Sequence, residues 1–77
     1  MPEFSLTVHA RQQMERRGVT IEDIDQALRQ QIRITPGEPG TTWIHGHAVG
    51  GRVLKVCARM ADKPMTIITV AWPDLRG

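Results

Sequence analysis

The chain has 77 residues, a net charge of +2 and one cysteine, Cys57. A chain of this length is expected to form one small domain over residues 1–77, and its 40% hydrophobic content is too high for a disordered protein. A single cysteine excludes an internal disulfide, so a reducing compartment, the cytoplasm, is expected. No apolar run is long enough to span a bilayer. The modest positive charge argues against a dedicated nucleic-acid coat protein.

Two helices are predicted at the start of the chain. The first begins after Thr7, whose hydroxyl suits a helix cap, and ends at Gly18, which suits the left-handed position after a helix. The second begins after Thr20, which with Asp23 resembles a capping box, and ends near Arg29. Each helix is too short to be stable alone, so both are expected to pack against a sheet.

The rest of the chain is predicted to form strands. The run "IRIT" is read as a short strand and "PGEPG" as a loop. Three further strands are read in "TTWIHGHAV", "RVLKVCARM" and "MTIITVAW", with a tight glycine hairpin joining the first two. The predicted fold class is α+β, with two N-terminal helices packed on one face of a small antiparallel sheet of three to four strands.

The first helix combines an apolar stripe with basic residues, in the run "HARQQMERRG". At about 100° per residue, Arg17 shares the arc of Ala10, and one edge of that arc carries His9, Gln13 and Arg16. Arg17 either extends past the core and complements the helix C-terminus or grips a phosphate. His9 either covers the core edge or acts as an acid–base group.

Two histidines of the predicted strands form a second group of candidates. His45 and His47 are two apart and therefore share one face of a strand. If the glycine hairpin is a two-residue turn, both face the core side together with Leu54. They could share a metal, but a hydrogen-bonding or substrate-contact role is favoured because no carboxylate lies at an obvious ligand spacing.

The later strands supply the remaining candidates. Lys55 and Arg59 are predicted on the face opposite the core, where charged residues usually meet solvent. Thr69 is predicted to share a face with Ile67, and by default it is only a good strand residue. Trp43 is interpreted as a core or rim aromatic rather than a stacking platform for a base.

A family resemblance adds to this reading. The order L-T-x-H-A-R-x-x-M-x-x-R-G-V-T-x-x-D-I, followed by G-R-V-L-K-V and I-I-T-V, resembles the small bacterial domain-of-unknown-function family numbered 4258, from Leu6 to Trp72. That family is similar in outline to RelE and BrnT type toxins, which pack helices against a curved antiparallel sheet. The resemblance implies a RelE-like fold and a metal-independent endoribonuclease or RNA-binding domain of toxin–antitoxin type. One departure is Gln13, where members usually carry arginine.

The residues and the resemblance together predict a set of functional positions. The predicted catalytic residues are His9, Arg17, Lys55 and Thr69. The predicted RNA or phosphate contacts are Arg16, Arg52, Arg59 and His47. No metal or other cofactor is expected, and the expected partners are RNA, a cognate antitoxin or another protein, or a second copy of the chain, with no membrane. The alternative is a non-catalytic protein-interaction or dimerisation module, which Gln13 and the modest net charge favour.

Overall fold

The computed structural model describes residues 4–73, which form two helices and a five-stranded sheet. The elements in chain order are β1 (Phe4–Leu6), α1 (Val8–Arg17), α2 (Ile21–Arg29), β2 (Gln31–Pro36), β3 (Thr42–His47), β4 (Val53–Arg59) and β5 (Met65–Ala71). The strand order is β1-β5-β4-β3-β2, with β1 parallel to β5 and the other neighbours antiparallel. The α+β class is confirmed. Neither helix of the described residues is long and apolar enough to cross a membrane.

The helices begin and end where the sequence predicts. The Thr7 hydroxyl accepts the amide of Ala10 at 3.0 Å, and Gly18 ends α1 with a φ of 67°. The Thr20 hydroxyl and the Asp23 carboxylate each accept the other residue's amide at 3.0 Å, which completes the capping box. These local bonds satisfy the first free amides of each helix, and they fix the helix starts.

The sheet has five strands, rather than three to four, because the residues before Thr7 add an edge strand. Leu6 of β1 pairs with Ile67 of β5 in a parallel ladder, and the amide of Thr7 donates to the Ile67 carbonyl at 3.2 Å. A strand of three residues is too short to show a period in the sequence. The chain therefore passes directly from an edge strand into the N-cap of α1.

The core lies between the helices and one face of the sheet. Helix α1 packs on β5, and α2 packs on β3 and β4. The largest fully buried side chains are Ile24, Ile44, Leu54, Val56, Ile67 and Val70. Because the apolar sets of β3, β4 and β5 point to this one layer, both helices of the described residues pack on the same face of the sheet.

Close packing of α2 depends on Gly46 in β3. A Cβ atom at this position would overlap the carbonyl oxygen of Ala27 and would also lie 2.9 Å from that of Gln30. Only glycine therefore lets the α2 backbone approach the sheet this closely.

The pairing of β3 with β4 corrects the predicted position of the histidines. His45 pairs with Lys55 and His47 with Val53, one residue away from the register that a two-residue turn would give. The connection contains residues 48–52, and the amide of residue 48 donates to the carbonyl of residue 52 at 2.7 Å. Because a one-residue shift reverses the face of every side chain, both histidines lie on the face away from the helices.

A β-bulge in β5 corrects a second predicted face. Cys57 pairs with Thr69, but the next residue, Ala58, pairs with Ile67, so Ile68 is the extra residue. The bulge reverses the alternation at this point. As a result Ile67 enters the core, whereas Thr69 lies on the opposite face.

Candidate functional site

Polar and basic side chains occupy the face of the sheet that lies opposite the helices, here called the open face. Two rows of cross-strand partners traverse it. The basic row runs from β2 to β4 and contains Arg33, His45 and Lys55. The adjoining neutral row runs from β2 to β5 and contains Thr35, Trp43, Cys57 and Thr69.

The basic row concentrates positive charge without an acidic residue within it. Direct cross-strand partners have Cβ atoms about 5 Å apart, and like charges in such positions repel each other. The ion pairs within residues 4–73 are Arg29–Asp25 and Arg59–Asp62, so neither Arg33 nor Lys55 takes part in one. An anion bound across the row would relieve this repulsion.

His45 lies at the centre of the basic row. Burial lowers the pKa of its imidazole, and the charges of Lys55 and Arg33 lower that pKa further. Its Nε2 atom lies 3.5 Å from the hydroxyl oxygen of Thr35. A neutral imidazole at neutral pH has one nitrogen that accepts a proton or hydrogen bond and one that donates.

Lys55 is held in place by the aromatic ring of Trp43. The Lys55 Nζ atom lies 4.4 Å from the Trp43 ring centroid, which is a cation–π distance. The contact joins the basic row to the neutral row and restricts the lysine side chain. Trp43 therefore contributes to the open face rather than to the core between sheet and helices.

A small hollow opens beside Trp43 at the β5 end of the neutral row. Its volume is about 300 Å³, and it is lined by Glu38, Thr41, Trp43, Cys57, Ile68 and Thr69. The bulge in β5 brings Ile68 to this hollow together with its neighbour Thr69. Glu38 is the one charged residue in that lining.

The four predicted catalytic residues are divided between two layers of the molecule. Lys55 and Thr69 both lie on the open face, on neighbouring strands. His9 and Arg17 lie on α1, which packs against the opposite face of β5. The structure therefore brings together two residues of the set and leaves the other two in the helix layer.

Arg17 and Arg52 meet at a different corner, around Trp72. The Arg17 Nη1 atom donates to the Val70 carbonyl at 2.6 Å, and the Trp72 indole donates to the Arg17 carbonyl at 2.7 Å. The Arg52 guanidinium lies over the Trp72 ring, 4.1 Å from its centroid. This cluster connects the end of α1 to the end of β5, and it gives Arg17 a structural role.

The remaining predicted phosphate contacts have varied surroundings. The Nδ1 atom of His47 lies 2.8 Å from the Gly51 carbonyl oxygen, within the hairpin connection. Arg59 forms an ion pair with Asp62 at 3.9 Å. Arg16 is exposed on α1.

Within residues 4–73, no three His, Cys, Asp or Glu side chains are grouped closely enough to hold a metal ion.

Gln13 differs from its predicted place on the edge of α1. It is 91% buried, next to the core residue Ala10 along the helix face, and its Oε1 atom has no hydrogen-bond partner within the described residues. A short helix with few apolar residues must bury some polar side chain when it packs. The position is therefore part of the helix–sheet interface, and a substitution here changes packing as well as charge.

The sequence pattern does not single out Arg33 or Glu38. Arg33 alternates with two isoleucines in β2, a signal that it points away from them, but the pattern does not say which row it joins. Glu38 lies in the loop between β2 and β3, and its approach to the hollow depends on the path of that loop. The place of Arg33 therefore follows only from the strand registers, and that of Glu38 only from the path of the loop.

The comparisons with known proteins confirm the resemblance to the DUF4258 family and give no toxin among the matches. The family model "Domain of unknown function (DUF4258)" matches residues 6–72, which is almost the whole described chain. No curated protein and no solved structure gives a significant match. The match covers both helices and the strands that carry the two rows. The chain therefore belongs to the DUF4258 family.

Proposed function

We propose that the open face of the sheet binds single-stranded RNA. The observation that carries the proposal is the in-register basic row, in which Arg33, His45 and Lys55 adjoin one another on three successive strands. With strands about 4.8 Å apart, the row spans roughly 10 Å, enough for contacts to more than one phosphate oxygen. Arginine and lysine that are free of ion pairs are the usual phosphate ligands.

A single strand fits this surface better than a duplex does. Proteins read single-stranded RNA by unstacked bases against aromatic side chains and by basic residues along the backbone. Trp43 lies directly beside the basic row, and the hollow lies next to Trp43. A duplex keeps its bases stacked inside and would leave the hollow without an occupant.

The test is the affinity of the chain for short fluorescently labelled RNA oligonucleotides, measured by anisotropy. Lys55→Met keeps the aliphatic stem over Trp43 but removes the charge, and we expect it to raise Kd about tenfold, as for loss of a charge-assisted hydrogen bond. Arg33→Gln is expected to act in the same direction. The matched controls are Lys63→Met and Arg11→Gln, which remove the same charges from exposed positions outside the basic row. Equal losses in the controls and in the row variants would contradict the proposal.

A metal-independent endoribonuclease is a second candidate, and the position of His45 favours it. Its imidazole, with a lowered pKa, suits a general base, and it lies between two cations that suit the charge of a pentacoordinate phosphorus transition state. In that reaction the 2′-oxygen attacks phosphorus and the bond to the 5′-oxygen breaks. The imidazole takes the 2′ proton, the Lys55 ammonium protonates the leaving oxygen, and the products are a 2′,3′-cyclic phosphate and a 5′-hydroxyl.

The helix residues offer a second possible centre for the same reaction, with His9 as the acid–base group and Arg17 on the phosphate. Incubation of RNA with the purified chain in excess EDTA separates the two centres. Removal of a general base is expected to slow cleavage by about 10² to 10⁴. A loss confined to His45→Gln supports the open face, and a loss confined to His9→Ala supports the helix. Binding without cleavage leaves an RNA-binding domain. The likeness to RelE-type toxins and a cognate antitoxin remain predictions.

A further inference from the structure

We infer that the hollow beside Trp43 receives a guanine base of the bound strand, with the Glu38 carboxylate accepting hydrogen bonds from its Watson–Crick edge. The inference rests on the proposed RNA binding, and it adds a base specificity that the basic row alone does not supply. Phosphate contacts position a nucleic acid, whereas contacts to base edges specify its sequence.

The hollow has the size and lining of a site for one planar ring system. Its volume of about 300 Å³ lies at the lower limit for ligand pockets. Trp43 and Ile68 give it apolar walls, and the Thr41 and Thr69 side chains add small polar groups. Proteins commonly hold an unstacked base in this way, with an aromatic wall and a few hydrogen-bonding groups at its edge.

The charges on the open face separate the places for phosphate and base. Glu38, the one charged residue lining the hollow, would repel a phosphate group. The basic row, on the other side of Trp43, attracts phosphate instead. A strand crossing this face would therefore direct its backbone to the row and a base to the hollow.

The chemistry of a carboxylate selects among the bases. An ionised carboxylate only accepts hydrogen bonds, and it does so with two oxygens side by side. Guanine offers two adjacent donors, N1–H and the N2 amino group, on its Watson–Crick edge. Adenine and cytosine each place a ring acceptor next to the amino group, and uracil places its single N–H between two carbonyl groups. Only guanine matches both carboxylate oxygens.

Three hydrogen bonds cross the loop that carries Glu38. The Glu38 carbonyl accepts the amide of Thr41 at 2.8 Å and the Thr41 hydroxyl at 2.7 Å, and the Gly37 amide donates to the Thr41 carbonyl at 3.2 Å. A Cβ atom at Gly37 would lie 2.5 Å from that hydroxyl and 3.3 Å from the Trp43 ring. The acid is thus attached to a loop that is already folded against Trp43, which lowers the ordering cost of binding.

The experiment compares four labelled uridine heptamers that carry guanine, adenine, cytosine or uracil at the central position. Anisotropy titrations with the full chain are expected to give a Kd for the guanine heptamer about fivefold or more below the others, as for one bidentate base contact. In Glu38→Gln we expect this ratio to fall close to one, since the amide presents one acceptor and one donor. Glu15→Gln removes the same charge from an exposed position on α1, and is expected to keep the ratio of the unsubstituted chain.

The outcomes distinguish a failure of the guanine site from a failure of the proposed RNA binding. If all four heptamers bind equally, or if Glu38→Gln keeps the guanine preference, the guanine site is wrong but RNA binding stands. If none of the four binds, the proposed function fails and the guanine site fails with it. A second measurement, the indole N–H signals of Trp43 and Trp72 in nitrogen-15 spectra, locates the base. Guanosine monophosphate should shift the Trp43 signal more than the Trp72 signal. The reverse result would place the base near Trp72 and would contradict the guanine site.

Discussion

His45 and Lys55 are direct partners in the antiparallel pair of β3 and β4, on the face of the sheet opposite α1 and α2. This one pairing places an imidazole beside an ammonium group, and the pairing of His45 with Arg33 adds a guanidinium on the other side. The three groups raise one another's energy when all are charged. Their electrostatic state therefore depends on pH and on any bound anion.

We predict that RNA affinity rises as the pH falls from about 8 to about 5.5, the range in which histidine takes up a proton. In the free chain, burial and the neighbouring charges of Lys55 and Arg33 lower the pKa of His45. A phosphate on the basic row favours the charged imidazolium and raises that pKa, so binding takes up a proton. Anisotropy titrations at constant ionic strength measure this effect, and His45→Gln should flatten the profile. A pH dependence that survives in His45→Gln would contradict its assignment to His45.

We predict that the salt dependence of binding reports the number of phosphates on the basic row. For a single strand, the slope of log K against log salt is about −0.7 for each phosphate neutralised. Lys55→Met should therefore make the slope less negative by about 0.7, in addition to weakening binding at every salt concentration. Titrations over a range of potassium chloride concentrations provide the slope. An unchanged slope would show that Lys55 contacts the strand by packing alone.

We predict that Gly46→Ala destabilises the fold. The new Cβ would overlap the Ala27 carbonyl, so α2 would have to move away from β3 and β4. Overpacking of this kind typically costs about 1–3 kcal/mol. The free energy of unfolding from urea denaturation measures the loss, and an unchanged m value would show that the same surface is exposed on unfolding. A variant as stable as the unsubstituted chain would contradict the close approach of α2.

The sequence specifies the helices well because their signals are local. Thr7, Gly18 and the Thr20–Asp23 capping box act within one helical turn, and the structure confirms all of them. Four strands also match the predicted runs to within a few residues. The strand β1 could not be predicted, because its three residues gain their structure from pairing with β5.

The candidate site could be predicted only in part, because it depends on which face of the sheet each side chain occupies. The placement of Lys55 on the face opposite the core follows from simple alternation within β4, and the structure confirms it, since Leu54 and Val56 are buried in the core. The face of His45 depends on how many residues the hairpin contains, and that of Ile67 depends on a bulge. A shift of one residue reverses a face, and neither shift leaves a clear mark in the sequence. The basic row therefore appears only in three dimensions.

We predict that Arg17→Gln lowers the stability of the chain by about 1 kcal/mol, the net contribution of a typical hydrogen bond, since the arginine is exposed. The Arg17 guanidinium bonds to the Val70 carbonyl at 2.6 Å and so attaches the end of α1 to β5. Arg16→Gln is the matched control, because Arg16 is the adjacent exposed arginine in the last turn of the same helix. Thermal and urea unfolding compare the two variants, and equal effects would mean that the bond to Val70 contributes little.

The same pair of variants separates the structural role of Arg17 from a catalytic one. RNA affinity and cleavage are measured at a temperature at which both variants are fully folded. If Arg17 acts only as an attachment of α1 to β5, the folded Arg17→Gln chain retains the affinity and any cleavage rate of the unsubstituted chain. If instead cleavage falls about a hundredfold or more in the folded variant, Arg17 stabilises the transition state, because loss of one such group costs about that much. The reaction would then take place on the helix layer, and the open face would serve only to bind the strand.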